Sequence, residues 1–152
     1  MNIVKKIIKF FKKHKAQRSA EYRKKIVKKC PNLYRDIHER KGPRESLMCF
    51  GFECGSGWDK LIGRLSKKLE KMIKRFPKKE RGQFRVIQVK EKYGTLNFYI
   101  CCGTEKMYKV IEEAEDESSK ICEFCGRKGE LREHGYWFTT LCDRGVKKQY
   151  SK

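Results

Sequence analysis

Two cysteines held two residues apart and followed by glycine, Cys122-Glu-Phe-Cys125-Gly126, constrain this chain more than any other feature it has. Such a run folds as a knuckle: its tight turn aims both thiolates at one point, and the glycine relieves the backbone where amides approach sulfur. The residues that follow read as two short strands, Arg127 to Arg132 and Tyr136 to Thr140, with a turn at His134-Gly135. The second strand returns Cys142 toward the knuckle. Three converging thiolates predict a closed structural zinc site, since Zn2+ takes four sulfur or nitrogen ligands in tetrahedral geometry. Ordinary buried cysteines are the plainer alternative. A redox-active pair fits less well, because such pairs open a helix after a strand and this one opens a hairpin.

The fourth ligand is not evident. A second pair would place Cys or His near position 145, where the chain has Gly145. Cys101 or Cys102, ending a strand of the preceding domain, is the first candidate and Asp143 the next. His134 comes last, because the tip of the hairpin lies roughly 20–25 Å from the knuckle at ~3.3 Å per strand residue. Cys49 and Cys54 are further candidates, although their C-x-x-x-x-C spacing is weak for a metal and both read equally well as core residues.

Upstream, the pattern is that of an α+β protein. Trp58, Leu61, Ile62, Leu65, Leu69, Met72, Ile73 and Phe76 recur at helical spacing until Pro77, after a segment kinked by Gly51, Gly55 and Gly57. Phe84–Lys92 and Leu96–Cys102 read as a hairpin turning at Tyr93-Gly94-Thr95. Thr104 caps a second helix with Met107, Val110, Ile111, Ala114 and Ser118 on one face. Its acids Glu112, Glu113, Glu115, Asp116 and Glu117 are read as neutralising a basic neighbour. A short helix is expected over Asn32–Glu39 and a turn at Gly42-Pro43. The expected organisation is a basic amphipathic helical arm over 1–30 and an α+β core over 31–120, where the hairpin packs with two amphipathic helices. A zinc-ribbon or treble-clef-like hairpin then covers 121–152.

Charge adds a functional lead. The chain carries +20, and twelve of its Lys and Arg residues against one acid, Glu21, lie before residue 31. A field of that size draws polyanions without reading a sequence or a lipid; the bland alternative is charge that serves solubility. Lys5, Lys6, Lys9, Lys12, Lys13, Arg23, Lys24 and Lys25 of the arm form the candidate nucleic-acid surface. Lys67, Lys71 and Lys74 on the first core helix extend it, with Trp137 as a stacking residue. The segment also has two other readings: a helix docked on the domain, or an amphipathic helix over residues 2–15 lying on an anionic membrane surface. No stretch approaches ~20 apolar residues and no apolar signal segment is apparent, so a reduced, cytoplasmic setting is expected.

Several separate runs carry a resemblance. Pro31-Asn-Leu-Tyr-Arg-Asp36, Cys49-Phe-Gly-Phe-Glu-Cys-Gly-Ser-Gly-Trp58, Val89-Lys-Glu-Lys-Tyr-Gly-Thr-Leu-Asn-Phe-Tyr99, the C-x-x-C segment and Leu141-Cys-Asp143 together span residues 31–145. Over that stretch the chain resembles a family of small uncharacterised proteins of bacteriophages and prophages. It departs from the family's Gly-Asp-Gly-Trp at Ser56, and from its His or Cys three residues after the last cysteine at Gly145. The resemblance implies a mobile-element origin and expression inside a bacterium, and no activity. No phosphate-cradling loop and no nucleophile with an evident base stands out, so the expectation is a non-enzymatic protein with no small-molecule substrate. Its expected partner is nucleic acid; the alternative is a host protein, such as a defence component, that it binds and inhibits.

Overall fold

The computed structural model describes residues 3–37 and 46–150, with side chains described for these except at positions 3–15, 148 and 150. Helix α1 (Ile3–Lys29) leads to the two-residue strand β1 (Phe52–Glu53) and helix α2 (Asp59–Ile73). A hairpin of β2 (Arg85–Lys92) and β3 (Thr95–Cys101) follows, then helix α3 (Glu105–Ser118). A second hairpin, β4 (Glu130–His134) and β5 (Trp137–Leu141), precedes helix α4 (Asp143–Tyr150). The protein is therefore mixed α+β, with two small sheets and a cluster of cysteines near its C-terminal end.

The main sheet runs β1-β2-β3, with β1 parallel and β3 antiparallel to β2. Val86 and Val89 are three apart, so strict alternation would set them on opposite faces. A register shift between Val86 and Gln88 resets the alternation, and both valines face inward opposite Ile100 and Phe98. The turn between the strands is Tyr93-Gly94, with φ of 52° and 80°. Positive φ at both central residues matches the right-handed twist of a two-residue hairpin.

Helix α2 supplies the facing layer: Leu61, Ile62, Leu65, Leu69 and Ile73 are all buried, at the spacing the sequence shows. Helix α3 covers the free edge of β3. Ser118 Oγ accepts the Leu96 amide at 2.8 Å and Glu115 accepts the Phe98 amide at 2.7 Å, satisfying edge donors that an open strand would present. Burial raises the Glu115 carboxyl above its ordinary range, against that amide hydrogen bond. Two acids of α3 answer the basic face of α2, as Glu117 pairs with Arg64 and Glu113 with Lys68 at 3.4 Å. Exposed pairs of this kind contribute little to stability.

The segment read as an arm is one helix whose C-terminal half is packed into the core. Ile26 and Cys30 are buried, the Tyr22 side chain lies over Gly63, and Ser19 and Arg23 both bond Asp59. The division drawn at residue 30 thus falls inside packed structure. Residues 31–37 form turns rather than a regular helix. They are fixed by Glu70, which accepts from Asn32 Nδ2 at 2.6 Å and the Leu33 amide at 3.1 Å. Glu39 and the turn at Gly42-Pro43 lie outside the described residues.

Candidate metal centre

Helix α3 ends at Ser118, and after three residues the chain enters the knuckle at Cys122. Its backbone is fixed from within by Cys122 N–H to Arg127 O (2.7 Å) and Gly126 N–H to Cys122 O (2.8 Å). Strand β5 runs beside it, where the Glu123 amide donates to Thr140 O at 2.9 Å. That contact sets Cys142, one residue past the strand, against the knuckle. The Sγ atoms of Cys122, Cys125 and Cys142 lie within 4.8 Å of one another, and those of Cys125 and Cys142 are 3.6 Å apart. Among the described residues no other His, Cys, Asp or Glu joins this group.

The three sulfurs occupy unlike surroundings. Cys122 is fully buried, and burial raises its thiol above the ordinary range despite hydrogen bonds from the amides of Cys142, Cys125 and Phe124. Cys125 is exposed; burial would raise it, but hydrogen bonds from the Arg127 side chain and amide outweigh that and lower it to about 6. Arg127 Nε stands 3.4 Å from the Cys125 sulfur and Nη2 3.9 Å from that of Cys142. A thiolate beside a guanidinium is the form that binds metal.

The sequence-predicted fourth ligands stand elsewhere. Cys101 and Cys102 face each other, Sγ to Sγ at 3.0 Å, at the end of the β2–β3 hairpin opposite its turn. The knuckle unit instead packs at the turn, where Thr140 Oγ1 donates to Gly94 O at 2.6 Å. Seven residues of β3, roughly 20 Å of strand, separate the two ends. The Asp143 carboxylate is drawn off by Arg132 at 2.6 Å. His134 closes β4 opposite Trp137, one residue before the actual turn at Gly135-Tyr136. Cys49 is exposed and separate, whereas Cys54 is half-buried and held by burial at a pKa of about 12.

What the sequence did not disclose is the seat beneath the knuckle. The Gly57 amide donates to Glu123 O at 2.6 Å, the Gly55 amide to the Glu123 carboxylate at 2.7 Å, and the Trp58 indole to Ile121 O at 2.8 Å. A Cβ on Gly57 would lie 2.1 Å from Cys122 O, so only glycine admits this approach. Gly-x-Gly-Trp and C-x-x-C are thus two halves of one contact. The pairing signal was present in the glycines, but nothing local names a partner 65 residues away.

Of the candidate nucleic-acid residues, Lys24, Lys25, Lys67, Lys71 and Lys74 are exposed. Lys74 lies 3.8 Å from Glu70; among the described residues no acid pairs with Lys67 or Lys71. Arg23 does not belong with them. Its guanidinium holds Asp59 at 2.7 Å and donates to the carbonyls of Phe52 and Cys54, both at 2.9 Å, so it is a tie between α1, α2 and β1. The side chains of Lys5, Lys6, Lys9, Lys12 and Lys13 lie outside the description. Trp137 is 77% exposed and Tyr136 98%, with Leu131 and Phe138 also in solvent contact. No helix among the described residues is long and apolar enough to cross a membrane.

Compared with known proteins, the chain matches no family model, no curated protein and no solved structure.

Proposed function

We propose that this is a zinc-stabilised, non-enzymatic protein of phage type that associates with nucleic acid inside a bacterial cell. The observation that carries the proposal is the exposed pair Tyr136 and Trp137, raised on a hairpin whose base is fixed at the cysteine cluster. An aromatic pair that is neither buried nor covered, on a chain of net charge +20, suits stacking on bases beside phosphate attraction.

Zinc suits the cluster on chemical grounds. Three thiolates form a soft donor set, and a tetrahedral ion with ~2.3 Å zinc–sulfur bonds sets its sulfurs about 3.8 Å apart. The 3.6 Å between Cys125 and Cys142 is close to that spacing. The order of knuckle, hairpin and helix α4, with Cys142 just before the helix, supports a treble-clef-like unit. In it, zinc would hold the knuckle to the end of β5.

The test is binding of a short single-stranded DNA and RNA at rising salt, with Trp137→Ala beside the wild type. Expected are a steep fall in affinity with salt and a loss of ~1–3 kcal/mol from the variant. Affinity that ignores both salt and Trp137 would sink the reading. Retention of one host protein after nuclease treatment would move the assignment to inhibition of that protein.

A further inference from the structure

Three sulfurs supply three of a tetrahedral ion's four ligands, and the surroundings of the cluster bear on the fourth. Gly145, in the first turn of α4, is buried, and a Cβ built on it would lie 3.3 Å from the Cys122 sulfur. Position 145 therefore points at the cluster but offers no side chain. Asp143 is held by Arg132, and among the described residues no other donor atom completes the set. The same glycine, with Cys125 and Cys142, lines a cavity of about 680 Å³ between α1 and the C-terminal unit. Its walls combine apolar surface from Ala20 and Phe124 with the guanidinium-bearing Arg127 and Arg144.

An ion held by three protein ligands keeps an exchangeable fourth position. Here two of the three cysteines and Gly145 line a space far larger than a water molecule, bordered by arginines. A soft, three-thiolate centre favours another sulfur over oxygen, and the arginines offset the added negative charge. We infer that the metal at this centre takes a small-molecule thiolate as its fourth ligand, entering through the cavity. The inference rests on the metal reading above and extends it: the centre is a binding site as well as a brace. Binding exchanges a metal-bound water for the thiolate, whose proton passes to solvent, and involves no change of oxidation state.

Full-length protein loaded with Co2+ in a phosphine reductant, with 2-mercaptoethanol as the probe thiol, tests this. The sulfur-to-cobalt absorption of the wild type should rise saturably by about one-third, as three thiolates become four. Gly145→Cys should show the four-thiolate spectrum at once and ignore the probe. A wild-type spectrum that ignores the probe would overturn the inference while leaving the metal centre intact. If Cys54→Ser then lost one thiolate's worth of absorption, the chain's own Cys54, across the same cavity, would be the fourth ligand. Failure to bind cobalt at all would remove both readings together.

Discussion

Two antiparallel hairpins with two-residue turns lie against each other in this protein, and they are held by different forces. The β2–β3 hairpin buries Val86, Val89, Leu96, Phe98 and Ile100 on one face, under helices α2 and α3. The β4–β5 hairpin buries Thr140 and Leu141 at its base and leaves Leu131, Tyr136, Trp137 and Phe138 in solvent. Two strands without a covered face are marginal in water. The first hairpin is thus sustained by removal of apolar surface from water. The second depends on its attachments: the cysteine cluster, the Thr140–Gly94 hydrogen bond and the seat at Gly55–Trp58.

The comparison breaks most sharply at Cys122→Ser. Binding of a metal contributes on the order of 10 kcal/mol to folding of small metal-folded units. Hydrogen exchange should show β4–β5 amides losing protection while β2–β3 amides keep theirs; simultaneous loss in both hairpins would erase the distinction. Phe98→Ala is the reciprocal change. A buried aromatic cut to alanine costs about 3–5 kcal/mol, so the melting temperature should fall steeply, with metal stoichiometry unchanged in the protein that remains folded. Gly57→Ala probes the joint between the two regions. Its Cβ meets the Cys122 carbonyl at 2.1 Å, and forced overpacking costs about 1–3 kcal/mol. Metal affinity and melting temperature should decline together, which neither of the first two changes requires.

The smallest effect concerns Cys125 in metal-free protein. Its thiol is lowered from 9.0 to about 6 by hydrogen bonds that outweigh burial. Its folded-state pKa is depressed, so the contribution to stability is present above pH 9 and is lost as the pH falls through about 6. Iodoacetamide should modify Cys125 with a midpoint near pH 6, and Arg127→Gln should move that midpoint upward.

Much of the first region was legible in the sequence, because periodicity reports burial directly. The helix at Leu61–Ile73, the Thr104 cap and the hairpin turning at Tyr93-Gly94 all follow from local pattern. So did the acidic face of α3, whose Glu113 and Glu117 meet α2. The C-x-x-C knuckle and Cys142 were legible from spacing alone. Long-range placement was not. Cys101 and Cys102 end a strand and so stand out as extra ligands, but spacing does not say which end of a hairpin the next unit meets. Arg23 looks like a surface base in the sequence because composition does not distinguish a solvated guanidinium from one holding Asp59. Tyr136, Trp137 and Phe138 read equally well as packing or display in the sequence, and only their own exposure in the fold separates the two.

The seat at Gly55–Trp58 also has a consequence for the order of events as the chain is made. The Gly57 amide and the Trp58 indole leave the ribosome 66 and 63 residues ahead of the carbonyls they will meet, those of Glu123 and Ile121. At about 5–20 residues per second that interval is roughly 3–13 s. Through it, Trp58 has no carbonyl to receive its N–H, and the cysteine pair that will rest there does not yet exist. The Gly55–Trp58 segment is therefore born as a vacant cradle, and the knuckle, translated well after it, is what completes it.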